Sequence, residues 1–115
     1  MKFIKSNHYY NEEDLKKFGK IRDFQQPLAD KFFACYGVIF SASALTAKEK
    51  SLIALVVAHA VQYSYCIKAY SSDTYEQGFN EAQLMETVHV AAAIKSGAAL
   101  LHGVQMRIKV KEIAM

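Results

Sequence analysis

Apolar residues recur every three or four positions through most of the chain, the spacing that keeps them on one face of an α-helix. Leu15, Phe18, Ile21 and Phe24 form the first such stripe. Asn11, followed by Glu12, Glu13 and Asp14, supplies an N-cap and acids suited to the positive end of a helix dipole. A first helix is predicted over about 11–24. Pro27 suits the first turn of a second helix, whose apolar face carries Leu28, Phe32, Phe33, Tyr36 and Phe40. A small-residue connection at 41–45 leads to Thr46 and Glu49, which have the T-x-x-E spacing of a capping box. The third helix they open, 47 to about 62, is apolar nearly all round and so is predicted to be buried on most sides.

Ser64 is placed to cap a fourth helix ending near Gln77, with Gly78 suited to a left-handed C-terminal turn. Asn80 and Gln83 repeat the capping-box spacing before a fifth helix over about 81–103. Its alanines and glycines between 91 and 103 admit close backbone approach, either within the chain or across a subunit interface. The tail, 106–115, alternates apolar and basic residues up to Val110 and fits a short edge strand or a frayed helix. Residues 1–10 show no pattern. Five helical segments without a convincing strand pair define an all-α class, read as a single domain over 1–115.

Composition narrows the setting. Of 115 residues, 52% are hydrophobic and 22% charged, an apolar balance for a short soluble chain. Part of that apolar surface is expected to lie against another subunit. The 14 basic and 11 acidic residues give a net charge of +3, too scattered for a nucleic-acid footprint. The longest apolar run, 52–61, is too short to span a bilayer, and no secretory pattern opens the chain. With two cysteines and no sign of export, a reducing cytoplasmic setting is expected.

Cys66 is the residue with chemistry. If Ser64 caps the fourth helix, Cys66 lies in the first turn, where unpaired amides and the dipole favour an anionic sulfur. Such a thiolate attacks peroxides and becomes a sulfenic acid, which a second thiol must reduce. Cys35, the other cysteine, sits among aromatics and reads as a buried, inert thiol. His59 lies seven residues before Cys66, about two turns on a continuous helix; it reads as a core histidine or as a proton acceptor for the thiol. Tyr63 and Tyr70, three before and four after Cys66, lie alongside the sulfur. A phenol, with a pKa of about 10, is a poor base but a good donor; equally, the two rings read as packing that fills the space beside the sulfur. The remaining histidines, His8, His89 and His102, do not make a metal set with His59.

The segment LTAKEKSLIALVVAHAVQYSYCIKAY (45–70), followed by VHVAAAIKSGAALLHG (88–103), resembles the carboxymuconolactone decarboxylase family, within it the branch similar to alkylhydroperoxidase D. The same frame extends back through 27–45, and in all covers about residues 15–106. The resemblance implies an all-α fold of five to six helices around a central antiparallel helical core. It also implies a homo-oligomer, either a trimer or a hexamer built as a trimer of dimers. Redox-active members carry a glutamate, a C-x-x-C pair and a histidine four residues after the second, activated cysteine. Position by position, that cysteine is Cys66, while the glutamate falls on Ser51, the first cysteine on Tyr63 and the histidine on Tyr70.

The function expected is therefore a thiol-dependent peroxidase with one working cysteine and an external thiol or redoxin as reductant. Cys66, His59 and Tyr70 carry the catalytic roles and Tyr63 and Ser51 line the site, with no cofactor or metal. The alternative is an inactive oligomeric scaffold that binds a small ligand or a partner protein. Lactone decarboxylation ranks last, because Arg22 and Arg107 are the only arginines available to hold carboxylates.

Overall fold

The computed structural model describes residue 11 and residues 13–115, and these are helical nearly throughout, with no strand among them. Expectations for residues 1–10, including His8, lie outside the described residues.

The first predicted helix is not continuous. Asn11 caps a single turn, α1 (Glu13–Lys16), accepting from the Glu13 amide at 3.0 Å. The chain then tightens into a 3₁₀ segment, Phe18–Asp23, containing Gly19, a weak helix former. The tighter winding takes Ile21 and Phe24 out of the predicted stripe and leaves both exposed. Phe18 remains packed edge-on against Phe33 at 5.3 Å. Arg22 binds Asp30 at 2.8 Å and lies over the Phe33 ring.

Helix α2 (Gln26–Phe40) has Pro27 in its first turn, where the missing amide hydrogen costs nothing. Its aromatic residues form a row that continues onto α4: Phe32 touches Tyr36, Tyr36 touches Phe40, and Phe40 stacks on Tyr70 at 5.7 Å. Both predicted capping boxes form, Thr46 with Glu49 and Asn80 with Gln83. The Thr46 amide, and after it the Thr46 hydroxyl, hold the Glu49 carboxyl below its ordinary value.

Helices α3 (Ala47–Ala60), α4 (Ser64–Glu76) and α5 (Glu81–Ala114) make the packed centre. Leu55 of α3 is 1% exposed and Thr74 of α4 is fully buried. Ala58 of α3 and Ala91 of α5 are buried as well.

Two helix ends share one device. In each, an amide two residues past the helix-ending cap bonds back five residues, Tyr63 to the Ala58 carbonyl and Phe79 to the Thr74 carbonyl. At α4 the left-handed residue is Gly78, as predicted, with φ +102°. At α3 it is Gln62, with φ +58°, a position that the sequence does not mark with glycine.

Helix α5 is the main departure. It runs unbroken for 34 residues, so the tail is neither strand nor frayed end. At 1.5 Å per residue it is about 51 Å long. Its buried residues, Thr87 and Ala91, lie in the first half. Gly97 and Gly103 have nothing within 4 Å of where a side chain would begin, so close packing inside the chain does not explain them. Among the described residues α5 is the one helix long and apolar enough, by length and composition, to cross a membrane. The sequence pointed to 52–61 as the longest apolar run instead. The projecting helix contributes to a radius of gyration of 19.3 Å, against about 13 Å for a compact chain of this size.

Candidate functional site

Cys66 reaches its place through the turn between α3 and α4. The bond from Tyr63 to Ala58 closes α3, and α4 starts at once at Ser64. The cap is therefore Tyr63, not Ser64, and its side chain makes no capping bond. Ser64 has already entered the helix, because the turn that ends α3 leaves no residue free between the two helices. Cys66 is still in the first turn. The first ladder bond runs from the Ile67 amide to the Tyr63 carbonyl at 2.9 Å, so the amides of residues 64–66 precede the ladder.

The thiol is free and half-buried. It faces a cavity of about 160 Å³ bounded by Leu15, Phe18, Phe33, Tyr36, Ala69 and Tyr70. A water occupies about 30 Å³ in the liquid, so the space suits a small molecule. Its walls are apolar except for one sulfur and two phenols.

Three tyrosines surround the sulfur. Tyr63 is near enough to the Cys66 thiol to interact with it; burial first, then the influence of Cys66, then the charge of Tyr36 push its phenol above its ordinary value. Tyr63 is 40% exposed, so water weakens each of these effects. Tyr70 bonds Tyr36, oxygen to oxygen, from α4 to α2. Burial first, then the Tyr36 bond, then the charges of Tyr36, Cys66 and Asp73 hold Tyr70 well above the usual phenol range. Tyr63 and Tyr70 therefore stay protonated at neutral pH and serve as donors rather than bases. The Tyr36–Tyr70 pair uses one hydroxyl hydrogen between its oxygens and retains a second that is free to donate.

Ser51 is 3% exposed and donates its hydroxyl hydrogen to Asp73 of α4. Gln77 donates to the same carboxylate oxygen at 2.8 Å. Asp73 is half-buried, one turn beyond Tyr70 and two turns beyond Cys66. Position 51 carries no carboxylate of its own, yet a carboxylate from the next helix lies against it.

His59 sits in α3 with Nδ1 at 2.9 Å from the Leu55 carbonyl of its own helix. It is not among the residues lining the Cys66 cavity. Nδ1–H donating to that carbonyl leaves Nε2 as the nitrogen able to take a proton. Cys35 differs from expectation. It is exposed rather than buried, because the aromatic row of α2 passes along another face of the helix. It too is a free thiol. His102 bonds Gln105 at 2.8 Å, His89 is exposed, and no metal-binding cluster occurs among the described residues.

The structure thus brings Cys66, Tyr63 and Tyr70 together, places Ser51 one hydrogen bond behind them through Asp73, and holds His59 on its own helix. Sequence reasoning missed Tyr36 and Asp73. Tyr36 was visible only as one member of an apolar stripe. Asp73 carried a usable signal, since its separation from Cys66 and Tyr70 puts all three on one side of α4.

Helix order, paired capping boxes and the turn that delivers Cys66 define a class, the all-helical alkylhydroperoxidase D-like fold. The chain belongs to the carboxymuconolactone decarboxylase family, whose model matches residues 26–106. It is similar to a protein of Paracoccus denitrificans described as "Uncharacterized protein 4 in cox locus", with 38% identity over 73 residues. That match spans 64% of this chain and 66% of the relative, just under two thirds of its length. It is also similar to a protein from Methanobacterium thermoautotrophicum whose crystal structure was a Northeast Structural Genomics Consortium target. There the TM-score is 0.69 at 27% identity, covering 73% of this chain and 94% of the other.

Proposed function

We propose that the protein is a thiol-dependent peroxidase that works through Cys66 alone. The observation that carries this is the placement of a free sulfur in the first turn of α4, open to a small apolar cavity and flanked by phenols that stay protonated.

In the proposed reaction the Cys66 thiolate attacks the terminal oxygen of a hydroperoxide. The O–O bond breaks, sulfur becomes sulfenic acid, and the departing alkoxide takes a proton to leave as an alcohol. The free hydroxyl hydrogen of the Tyr36–Tyr70 pair is the candidate donor for that oxygen. Tyr63, a protonated phenol next to Cys66, is the candidate donor to the thiolate. His59 lies outside the cavity, so the proton that the thiol loses passes to solvent from the half-buried sulfur. With no cysteine at position 63, an external small thiol or redoxin reduces the sulfenic acid, first forming a mixed disulfide and water. A second equivalent then restores the thiol and leaves as the oxidised reductant. A cytoplasmic setting supplies such thiols.

An inactive scaffold is the second reading. It is favoured by the aromatic rings of Tyr63 and Tyr70 standing where a resolving cysteine and a histidine would serve a two-thiol site. Lactone decarboxylation has little support, since Arg22 is occupied by Asp30 and Phe33, and Arg107 stands on the far part of α5. Assembly into a trimer or hexamer is proposed on separate grounds, the large apolar side chains exposed along α2, α3 and α5.

The test is peroxide consumption by the wild type and by Cys66→Ser with several thiol donors. Loss of turnover in the variant supports the peroxidase; equal turnover in both rejects it.

A further inference from the structure

Along α5 the residues Val90, Ile94, Gly97, Leu101, Val104 and Ile108 follow one another at alternating steps of four and three. That is a heptad seam, the pattern of helices that pack knobs into holes. The seam is open in the single chain. Its five side chains are 53–69% exposed, and Gly97 has no neighbour within 4 Å. It lies about a quarter turn from the face that Thr87 and Ala91 bury against the rest of the chain.

We infer that this seam pairs with the same seam of a second copy, antiparallel, across a two-fold axis near residue 99. Three observations select that occupant and that direction. The first is steric. An antiparallel seam sets a-type positions against d-type positions, and this sequence then gives three matched contacts: Val90 with Ile108, Ile94 with Val104, and Gly97 with Leu101. The gap at Gly97 receives the Leu101 side chain, which accounts for a glycine inside a helix where nothing in its own chain approaches it.

The second is charge. The last turns of α5 carry Arg107, Lys109 and Lys111, with Glu112 beside Lys109 at 3.7 Å; the first turns carry Glu81 and Glu86. Antiparallel pairing brings Lys111 beside Glu86 of the second copy and sets the two helix dipoles against each other. Parallel pairing would set basic tail on basic tail.

The third is area. The seam and its flank, including Leu100, offer on the order of 700 Å² per copy, close to what a standard specific interface covers on each side. Part of this surface, from Arg107 onward, lies beyond the family match at 26–106. The pairing deepens the proposal that the chain assembles and is independent of the peroxidase chemistry.

The experiment uses the full chain with Cys35→Ser and Cys66→Ser, to which Val90→Cys or Ile108→Cys is added. A disulfide needs α-carbons within about 7 Å. Antiparallel pairing makes the two proteins cross-link to each other when mixed under mild oxidation, and neither to itself, because positions 90 and 108 stand about 27 Å apart along one helix. Leu101→Glu, at an exposed position that leaves the single-chain core intact, weakens self-association about tenfold or more in sedimentation. Self-cross-linking of Ile108→Cys, or an undiminished mass for Leu101→Glu, overturns the pairing while leaving assembly in place. A monomeric wild type overturns assembly itself. Recovery of the wild type with lipid vesicles, α5 protected inside the bilayer, assigns the apolar helix to a membrane and also overturns the pairing.

Discussion

Ser51 and Asp73, twenty-two residues apart and on different helices, are joined by a hydrogen bond from the serine hydroxyl to the carboxylate. The bond ties α3 to α4 directly behind the tyrosines that surround Cys66. A half-buried carboxylate stays in such a place because donors satisfy it, here Ser51 and Gln77.

Removing one donor should therefore cost more than a surface change. Ser51→Ala is expected to destabilise the chain by about 1–3 kcal/mol in urea unfolding. Ser51→Glu should be worse, because it sets two carboxylates together at a buried position. Asp73→Asn added to Ser51→Glu should recover much of that loss. A non-additive double-mutant cycle is the expected result; simple additivity would show that the two residues do not interact.

The Tyr36–Tyr70 pair makes a second prediction. Either single Tyr→Phe change leaves one phenol without its partner and is expected to cost about 1 kcal/mol, whereas the double change should cost less than the two singles together. If the pair supplies the proton to the departing oxygen, Tyr70→Phe should also slow peroxide turnover without altering the yield of Cys66 alkylation by iodoacetamide.

The alkaline behaviour of Tyr70 follows from its raised pKa. Below about pH 10 the phenol is protonated in folded and unfolded chains alike, and its contribution to stability is fully present. Above that, the unfolded chain ionises first, so stability falls as pH rises toward the folded value. Thermal melts between pH 9 and 11 should show a steeper decline for the wild type than for Tyr70→Phe.

Tyr63→Cys restores a C-x-x-C spacing with Cys66. With a resolving thiol next to the sulfenic acid, peroxide should yield an internal disulfide, and turnover should become less dependent on small thiols. Mass spectrometry after one equivalent of peroxide distinguishes the outcomes: a loss of two hydrogens in the variant, a gain of one oxygen in the wild type.

What the sequence disclosed and what it withheld divide along the range of the interactions. The helical runs from Gln26 to about residue 103, both capping boxes, Pro27 and the Gly78 turn rest on neighbours within a few residues, and all were legible. The break in the first helix turned on a balance between Gly19 and the tertiary pull of Phe18 and Arg22 toward α2, which local spacing does not encode. Ser64 was misread as a cap because the stop of α3 falls on Gln62, a residue type that does not announce a left-handed turn. The tail of α5 was ambiguous because its basic residues mimic the alternation of a strand. In the site, Cys66 and the flanking Tyr63 and Tyr70 were visible from helical spacing alone. Tyr36 and Asp73 depend on how α2, α3 and α4 pack.

The most direct test of the central claim is single-turnover oxidation of Cys66 by an alkyl hydroperoxide, followed by trapping the sulfenic acid with a dimedone probe and locating it by peptide mass spectrometry. The account predicts rapid, stoichiometric labelling of Cys66, faster than labelling of the exposed Cys35 in the same molecules. Oxidation of Cys66 no faster than that of Cys35 would contradict it.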